Sequence, residues 1–384
     1  MALDCQADLF EVPGHILYFN CAAQGPAPKR AADAGRRAVE RKSRPWEKAR
    51  QDLSAEMERT RVQFAALING DPECVALTGA TSYGIAIAAR NMKLVRGQAI
   101  LVLESQFPSN YYAWQRLAAA RGGTLRVVKR PTDGDWTSAV LEALAADSNI
   151  GVVTLPQVHW VDGGVLDLAR IAPAVHALGA GFVIDATQSI GAMPFDVASL
   201  DPDFVTCSAY KWLLSPDQTG YLYVAPRHLD GEPVEHNHAA RVGTVPMTHG
   251  PGYGDRFKPG ARRYDQGAAD AMIHMPMAVA AMDQLLAWGV PEIGGYLAPI
   301  IDRIADQAEL RGWSVPPKAH RSPHFIGLSV PHPVASDLDV RLAKEDVYLS
   351  LRDGRIRIAP HLFNRVEQVE ALFAALDRHL RKAA

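Results

Sequence analysis

The chain is sparing with the features that would place it in a special class. Its 384 residues include only four cysteines, Cys5, Cys21, Cys74 and Cys207, with no CxxC spacing, so neither a disulfide framework nor a structural zinc site is implied. No apolar run approaches the length of a membrane span. The first ten residues lack the basic start and apolar core of a signal peptide, which sets a cytoplasmic location as the expectation. Charge of one sign is missing too: 40 Lys and Arg against 42 Asp and Glu leave a net charge of −2, with no electrostatic basis for binding nucleic acid or an anionic membrane. What remains, 48% apolar and 21% charged residues, is ordinary for a soluble globular enzyme, and the length suits two domains.

Two short stretches stand out against this background. Gly181-Phe-Val-Ile-Asp185 and Asp203-Phe-Val-Thr-Cys-Ser208 are β-branched and aromatic runs that end in polar residues. Such runs are expected of buried parallel strands that deliver functional groups at their carboxyl ends. The first ends on Asp185, and the second stops just short of Lys211. An ammonium set among apolar neighbours and the rings of Tyr210 and Trp212 loses solvation, which favours the neutral, nucleophilic amine. Pyridoxal phosphate (PLP) needs an imine-forming lysine, an acidic partner for its pyridine nitrogen and a donor set for its phosphate.

Asp185-Ala-Thr-Gln188 and Ser208-Ala-Tyr-Lys211 resemble the Asp-x-x-Gln/His and Ser-x-His/Tyr-Lys patterns of the class V aminotransferase family of fold-type I PLP enzymes, which includes cysteine desulfurases, kynureninase-like hydrolases and isopenicillin N epimerase-like proteins. The resemblance implies that Lys211 holds the cofactor aldehyde, Asp185 pairs with the ring nitrogen, Gln188 meets the ring hydroxyl, and Ser208 and Tyr210 meet the phosphate. It also implies a homodimer with active sites at the subunit interface.

The rest of the chain extends the resemblance. Leu17-Tyr-Phe-Asn-Cys-Ala-Ala-Gln-Gly-Pro26 is similar to the family's amino-terminal segment across the active-site mouth, with Asn20 and Gln24 as substrate contacts or as part of a loop packing on its own domain. Gly79-Ala-Thr-Ser82 follows a strand and opens a helix, a place where free N–H groups suit a phosphate dianion; Thr81 and Ser82 carry the hydroxyls. Phe107, after the strand Ala99 to Leu103, takes the family's ring-stacking slot. His159 and Trp160 either shape the substrate pocket or pack, and Trp160 stands where related enzymes often have an Asn. In Arg355-Ile-Arg-Ile-Ala-Pro-His-Leu-Phe-Asn364 the resemblance makes Arg357 the grip on the substrate α-carboxylate, since a guanidinium fits a carboxylate in two-point fashion. Gly267, in the segment the family extends to the partner's phosphate, is followed by Ala268 where Thr is common, leaving only backbone N–H contact in prospect.

Strand and helix signals alternate from Cys74 to Val224 and predict an α/β fold, with a mostly parallel sheet covered on both faces and a smaller α+β carboxyl-terminal domain. The expected divisions are 1–25 over the active site, 26–260 for the PLP-binding domain and 261–384 for the small domain, whose strand pair spans Val347 to Leu351 and Arg355 to Ile358. The region 228–260 holds His228, His236, His238 and His249. With i, i+2 histidines and no further ligand signal, no metal is expected there. The expected activity is that of an aminotransferase, with amino-acid epimerase or C–S/β-lyase as the alternative and a kynureninase-like hydrolase behind them. A desulfurase is disfavoured because no cysteine follows Cys207. A PLP-binding regulatory protein is disfavoured by the joint presence of Lys211, Asp185 and Arg357.

Overall fold

The computed structural model describes residues 3–47, 50–242 and 253–380. After a short strand β1 (Leu17–Tyr18), helices α1 (Lys29–Lys42) and α2 (Arg50–Leu67) lead into β2 (Val75–Thr78). From there the chain runs through α3 (Thr81–Asn91), β3 (Ala99–Leu103), α4 (Tyr112–Arg121), β4 (Thr124–Val128), α5 (Trp136–Ala146) and β5 (Ile150–Pro156). It continues with α6 (Leu168–Ala177), β6 (Gly181–Asp185), α7 (Val197–Leu200), β7 (Phe204–Ser208) and β8 (Gly220–Val224). Strands β2 to β8 form one sheet in the order β2-β8-β7-β6-β5-β3-β4. Only β8 is antiparallel to its neighbours; the others pair in parallel, as the alternating strand and helix signals predict.

Side chains alternate between the faces of a strand, and here each face meets its own core. Leu101, Val153, Phe182, Ile184 and Val205 enter one apolar cluster, while Ile100, Val102, Val152, Val183 and Phe204 enter the other with Ile85 and Trp114 from α3 and α4. Being buried on both faces explains why these strands read as unbroken apolar runs. The sheet margin β4, with Leu125, Arg126 and Val127 partly or largely exposed, is the exception.

The second part of the chain adds α8 (His274–Trp288), α9 (Val290–Glu309), β9 (Ile326–Leu328), α10 (Leu338–Ala343), β10 (Val347–Tyr348), β11 (Ser350–Arg352), β12 (Arg355–Ile358) and α11 (Gln368–Leu380). The stretch from Val347 to Leu351, expected as one strand, is two. β10 pairs in parallel with β1, while β11 joins β12 and β9 in an antiparallel sheet. The cause is the amino-terminal segment, which claims the edge of β10. Phe19 N donates to Tyr348 O at 2.8 Å and Ala359 N to Phe19 O at 2.8 Å. The segment then crosses to the main sheet, where Gly25 N donates to Tyr210 O at 2.9 Å. A Cβ on Gly25 would fall 2.0 Å from the Lys211 carbonyl oxygen, so only glycine allows this approach.

The outer edge of β2 is closed by side chains and a loop rather than by another strand. Leu77 N donates to Asp265 Oδ1 at 2.7 Å, Gln266 N to Leu77 O at 2.9 Å, and Arg61 to Val75 O. Arg61 Nη2 also meets Asp265 Oδ2 at 2.9 Å, and both residues are buried. Asp265→Ala removes the buried carboxylate and leaves the Arg61 guanidinium, among the described carboxylates, only the more exposed Glu58, 3.4 Å from Nε. Its expected cost is about 3–5 kcal/mol, measured as a fall in unfolding free energy in urea, with Asp270→Ala, an exposed neighbour, near neutral.

Candidate active site

A cleft of about 700 Å³, open to solvent on one side, lies at the carboxyl ends of β5, β6 and β7. The parallel neighbours β6 and β7 bring Asp185 and the Ser208–Lys211 turn to the same end of the sheet. Asp185 is 6% exposed and accepts the Thr187 N–H on Oδ1 at 3.1 Å. Burial pushes its carboxyl group up, against the pull of Thr187 and the Lys211 charge. Lys211 is 7% exposed. Burial lowers its amine from 10.5 to about 8; Asp185 opposes that change, and the Arg357 and Arg352 charges add to it. The aromatic groups flanking the amine are Phe107, 5.3 Å from Nζ to ring centroid, and Tyr210 at 5.4 Å. Trp212, expected beside the amine, instead packs in the core against His324, with centroids 4.4 Å apart, and against Phe325. There its indole N–H donates to Gln188 Oε1 at 2.8 Å.

That bond and two others fix Gln188: its Nε2 donates to Ala22 O at 2.9 Å, and its backbone O pairs with His324 Nε2 at 2.7 Å. Gln188 therefore ties the amino-terminal segment to the cleft floor and keeps one amide hydrogen to offer.

At the amino terminus of α3, Ala80 supplies no side-chain cap. Thr81 N donates to Ser208 Oγ at 3.0 Å. The Thr81 hydroxyl lies 2.8 Å from Ser208 Oγ and 2.6 Å from Thr187 Oγ1. With Ser82 exposed on the lining, three hydroxyls and the helix end make a cradle suited to a phosphate. Thr187 is missed by the sequence pattern because it occupies one of its variable positions; a hydroxyl two residues beyond a strand-end Asp is the signal that marks it. Asn110 also lines the cleft. Its Oδ1 accepts from Trp114 Nε1 at 2.9 Å and from Thr154 Oγ1 at 2.8 Å, while its Nδ2 is buried without a partner. An unspent buried donor, a cluster of hydroxyls at a helix start, a buried carboxylate and a desolvated amine together fit PLP.

On the substrate side, the Phe107 ring meets Trp160 edge-on at 5.3 Å. Arg357 is 2% exposed and is not among the cleft's lining residues; it meets the wall through Trp160, donating from Nε to Ser350 Oγ at 3.1 Å and from Nη1 to Trp160 O at 2.8 Å. Burial and the Arg352 charge bring its guanidinium down to about 9. His159 contributes to the cleft wall, but its ring stacks on Trp136 at 4.9 Å and its Nε2 pairs with Glu104 O at 3.1 Å. Burial and Arg130 hold it neutral, at about 3, so it packs rather than presenting a ring to substrate. Asn20 and Gln24 do not line the cleft. Gln24 reaches outward to Asp217 at 3.3 Å, and Asn20 bridges to Ala359. The Gly267 N–H, left in prospect for a phosphate, is taken by Glu235 Oε2 at 2.6 Å.

Among the described residues no group of three or more His, Cys, Asp and Glu gathers as a metal site, and no helix is long and apolar enough to cross a membrane. His228 binds Asp203 Oδ1 at 2.6 Å, and His236 sits 3.3 Å from Glu232. His249 and most of the glycine-rich stretch after it lie outside the described residues.

A family model described as aminotransferase class-V matches residues 17–248. A probable cysteine desulfurase from Methanothermobacter thermautotrophicus is 32% identical over 44% of this chain, a stretch that spans 41% of that protein. An isopenicillin N epimerase from Streptomyces clavuligerus is 27% identical over 66% of this chain and 65% of its own. The chain thus spans less than two thirds of either relative. Among solved structures, a C-DES variant with glycine covalently linked to its PLP cofactor superposes with a TM-score of 0.86 at 20% identity, covering 97% of this chain and 98% of that one. At that identity the likeness speaks for a shared fold.

The lowered amine gives a direct expectation. Cofactor-free protein should capture PLP at Lys211 with a rate that rises with pH around a midpoint of about 8 rather than 10.5, because only the neutral amine attacks. Arg357→Gln removes a neighbouring cation and should move that midpoint up, as read by stopped-flow absorbance.

Proposed function

The chain belongs to the aminotransferase class-V family, and from that premise we propose that it is a PLP-dependent enzyme that transfers the amino group of an α-amino acid. The observation that carries the proposal is the pairing of a desolvated Lys211 with a buried Asp185 in one cleft.

Bound PLP supplies an electron sink for the charge left on the substrate Cα. Asp185, anchored by the Thr187 N–H, would hold the proton on the ring nitrogen. Thr81, Ser82, Ser208, Thr187 and the first turn of α3 would hold the phosphate. Tyr210, whose ring flanks the Lys211 amine at 5.4 Å, would meet the phosphate from the same turn. Gln188 and the amino-terminal segment it binds close the floor against water.

Lys211, poised near neutrality, takes the Cα proton and can deliver it to another carbon. Phe107 carries no proton, and His159 is neutral and packed. Amino-group transfer needs only one such base, whereas two-base epimerisation would have to use the Tyr210 phenol, which burial pushes up, as the partner of Lys211. Cleavage of a Cβ bond is the second reading. It uses the same base, and the cysteine desulfurase names of several relatives favour it. A homodimer with the segment around Gly267 at the contact belongs to the same proposal; an active monomer by light scattering would count against it.

Borohydride reduction should fix cofactor mass on the peptide holding Lys211, and label on another lysine would refute the assignment. Incubation of the loaded enzyme with an amino-acid panel should give keto acid without free ammonia; ammonia with pyruvate would instead establish elimination. Asp185→Asn should lower kcat and kcat/KM together, since it acts on the transition state. Arg357→Gln should weaken substrate binding by roughly 2–5 kcal/mol, seen mainly in KM.

A further inference from the structure

Hairpin β11–β12 sets Ser350 opposite Arg357 and Arg352 opposite Arg355. With a side-chain period of two, these four residues share one face, while Leu351, Ile356 and Ile358 turn to the apolar core. The hairpin is tied to the cleft wall at two points. Arg357 bonds the backbone of Trp160, and the hairpin turn is tied to the loop bearing Phe107 by the Ser105 hydroxyl, which donates to Asp353 Oδ2 at 3.0 Å.

The three arginines on this face are placed differently. Arg357 is the α-carboxylate grip proposed above. Arg355 lines a separate cleft with Arg130 and Asp162 and has Asp353 at 4.0 Å. Arg352 is half-buried. Its hydrogen bond goes to Leu351 O at 2.7 Å, and no carboxylate among the described residues pairs with it. Its charge nonetheless reaches both Lys211 and Arg357, lowering each. Arg352 and Arg357 therefore share the face that bonds the Trp160 backbone of the cleft wall, while Asp185 is the carboxylate acting on Lys211. An amino acid with a neutral side chain brings one anion, which Arg357 takes. A guanidinium left without an anion beside two other cations is unfavourable, and its fork geometry suits a second carboxylate.

We propose that Arg352 receives an anionic group at the end of the substrate side chain, so that the preferred substrates are α-amino acids with a second carboxylate or an anion of similar shape. The inference rests on the reading of the cleft as a PLP site.

The test uses the PLP-loaded enzyme and non-reacting acids, so it does not depend on which reaction follows. Dissociation constants for succinate against butyrate, and for glutarate against pentanoate, are read from changes in the visible absorbance of the bound cofactor. The native enzyme should bind the better-fitting diacid at least about tenfold more tightly than its monoacid, and Arg352→Gln should bring that ratio close to one. A ratio near one in the native enzyme would overturn the inference without any variant. So would a ratio unchanged by Arg352→Gln, including an equal loss for both acids, which would assign Arg352 to the α-carboxylate. Protein that takes up no cofactor at Lys211 overturns the PLP reading and this inference together, whereas loaded protein without the diacid preference overturns this inference alone.

Discussion

Keeping the Lys211 amine out of water is the constraint on which the site depends. Water would return it to the ordinary ammonium range, and the walls that exclude water come from four separate parts of the chain. Phe107 arrives from the loop after β3, Tyr210 from the turn after β7, Arg357 from the small sheet, and the Gly25 backbone lies directly on the Lys211 carbonyl. Asp185 works in the opposite direction, favouring the charged amine while its own burial raises its carboxyl group. The two groups thus pull against each other, and in the function proposed above that tension suits a lysine that must both take and return a proton.

The sheet explains why this balance is placed where it is. Parallel strands buried on both faces end together, and their last residues project into a shared crevice. Asp185 and Thr206 are register partners on β6 and β7, so the turn that carries Ser208 and Lys211 begins beside the carboxylate. The hydroxyl cradle is set against the same end because α3 starts directly beyond β2 and Thr81 docks on Ser208.

Much of this is legible in the residues. Two β-branched runs closing on Asp185 and short of Lys211, a small-residue turn at Thr81 and an Arg-rich strand at Arg357 each carry a local signal, because strand periodicity and helix starts are written over a few neighbours. What is not legible depends on distant partners. His159 looks available until Trp136 is found stacked on its ring, and Trp212 looks like a cleft residue until His324 and Phe325 draw it into the core. The stretch from Val347 to Leu351 reads as one strand because nothing nearby shows that Leu17 and Tyr18 will pair with its first half. Glu235 takes the Gly267 N–H from a loop with no periodicity at all.

The pairing of Leu17 with Val347 and the bonds between Phe19 and Ala359 also bear on how the molecule is made. Leu17 to Phe19 are made long before their partners at Val347 to Ala359, so they must wait unpaired while the main sheet assembles. Contacts of such long sequence separation form late and slowly. The wall over Lys211 is therefore completed only after synthesis of the carboxyl-terminal strands. A nascent chain stalled before them would carry Asp185 and Lys211 on a folded sheet without the strap that seals their crevice, so the finished cleft arrives with β10 and β12 rather than with the strands that form its floor.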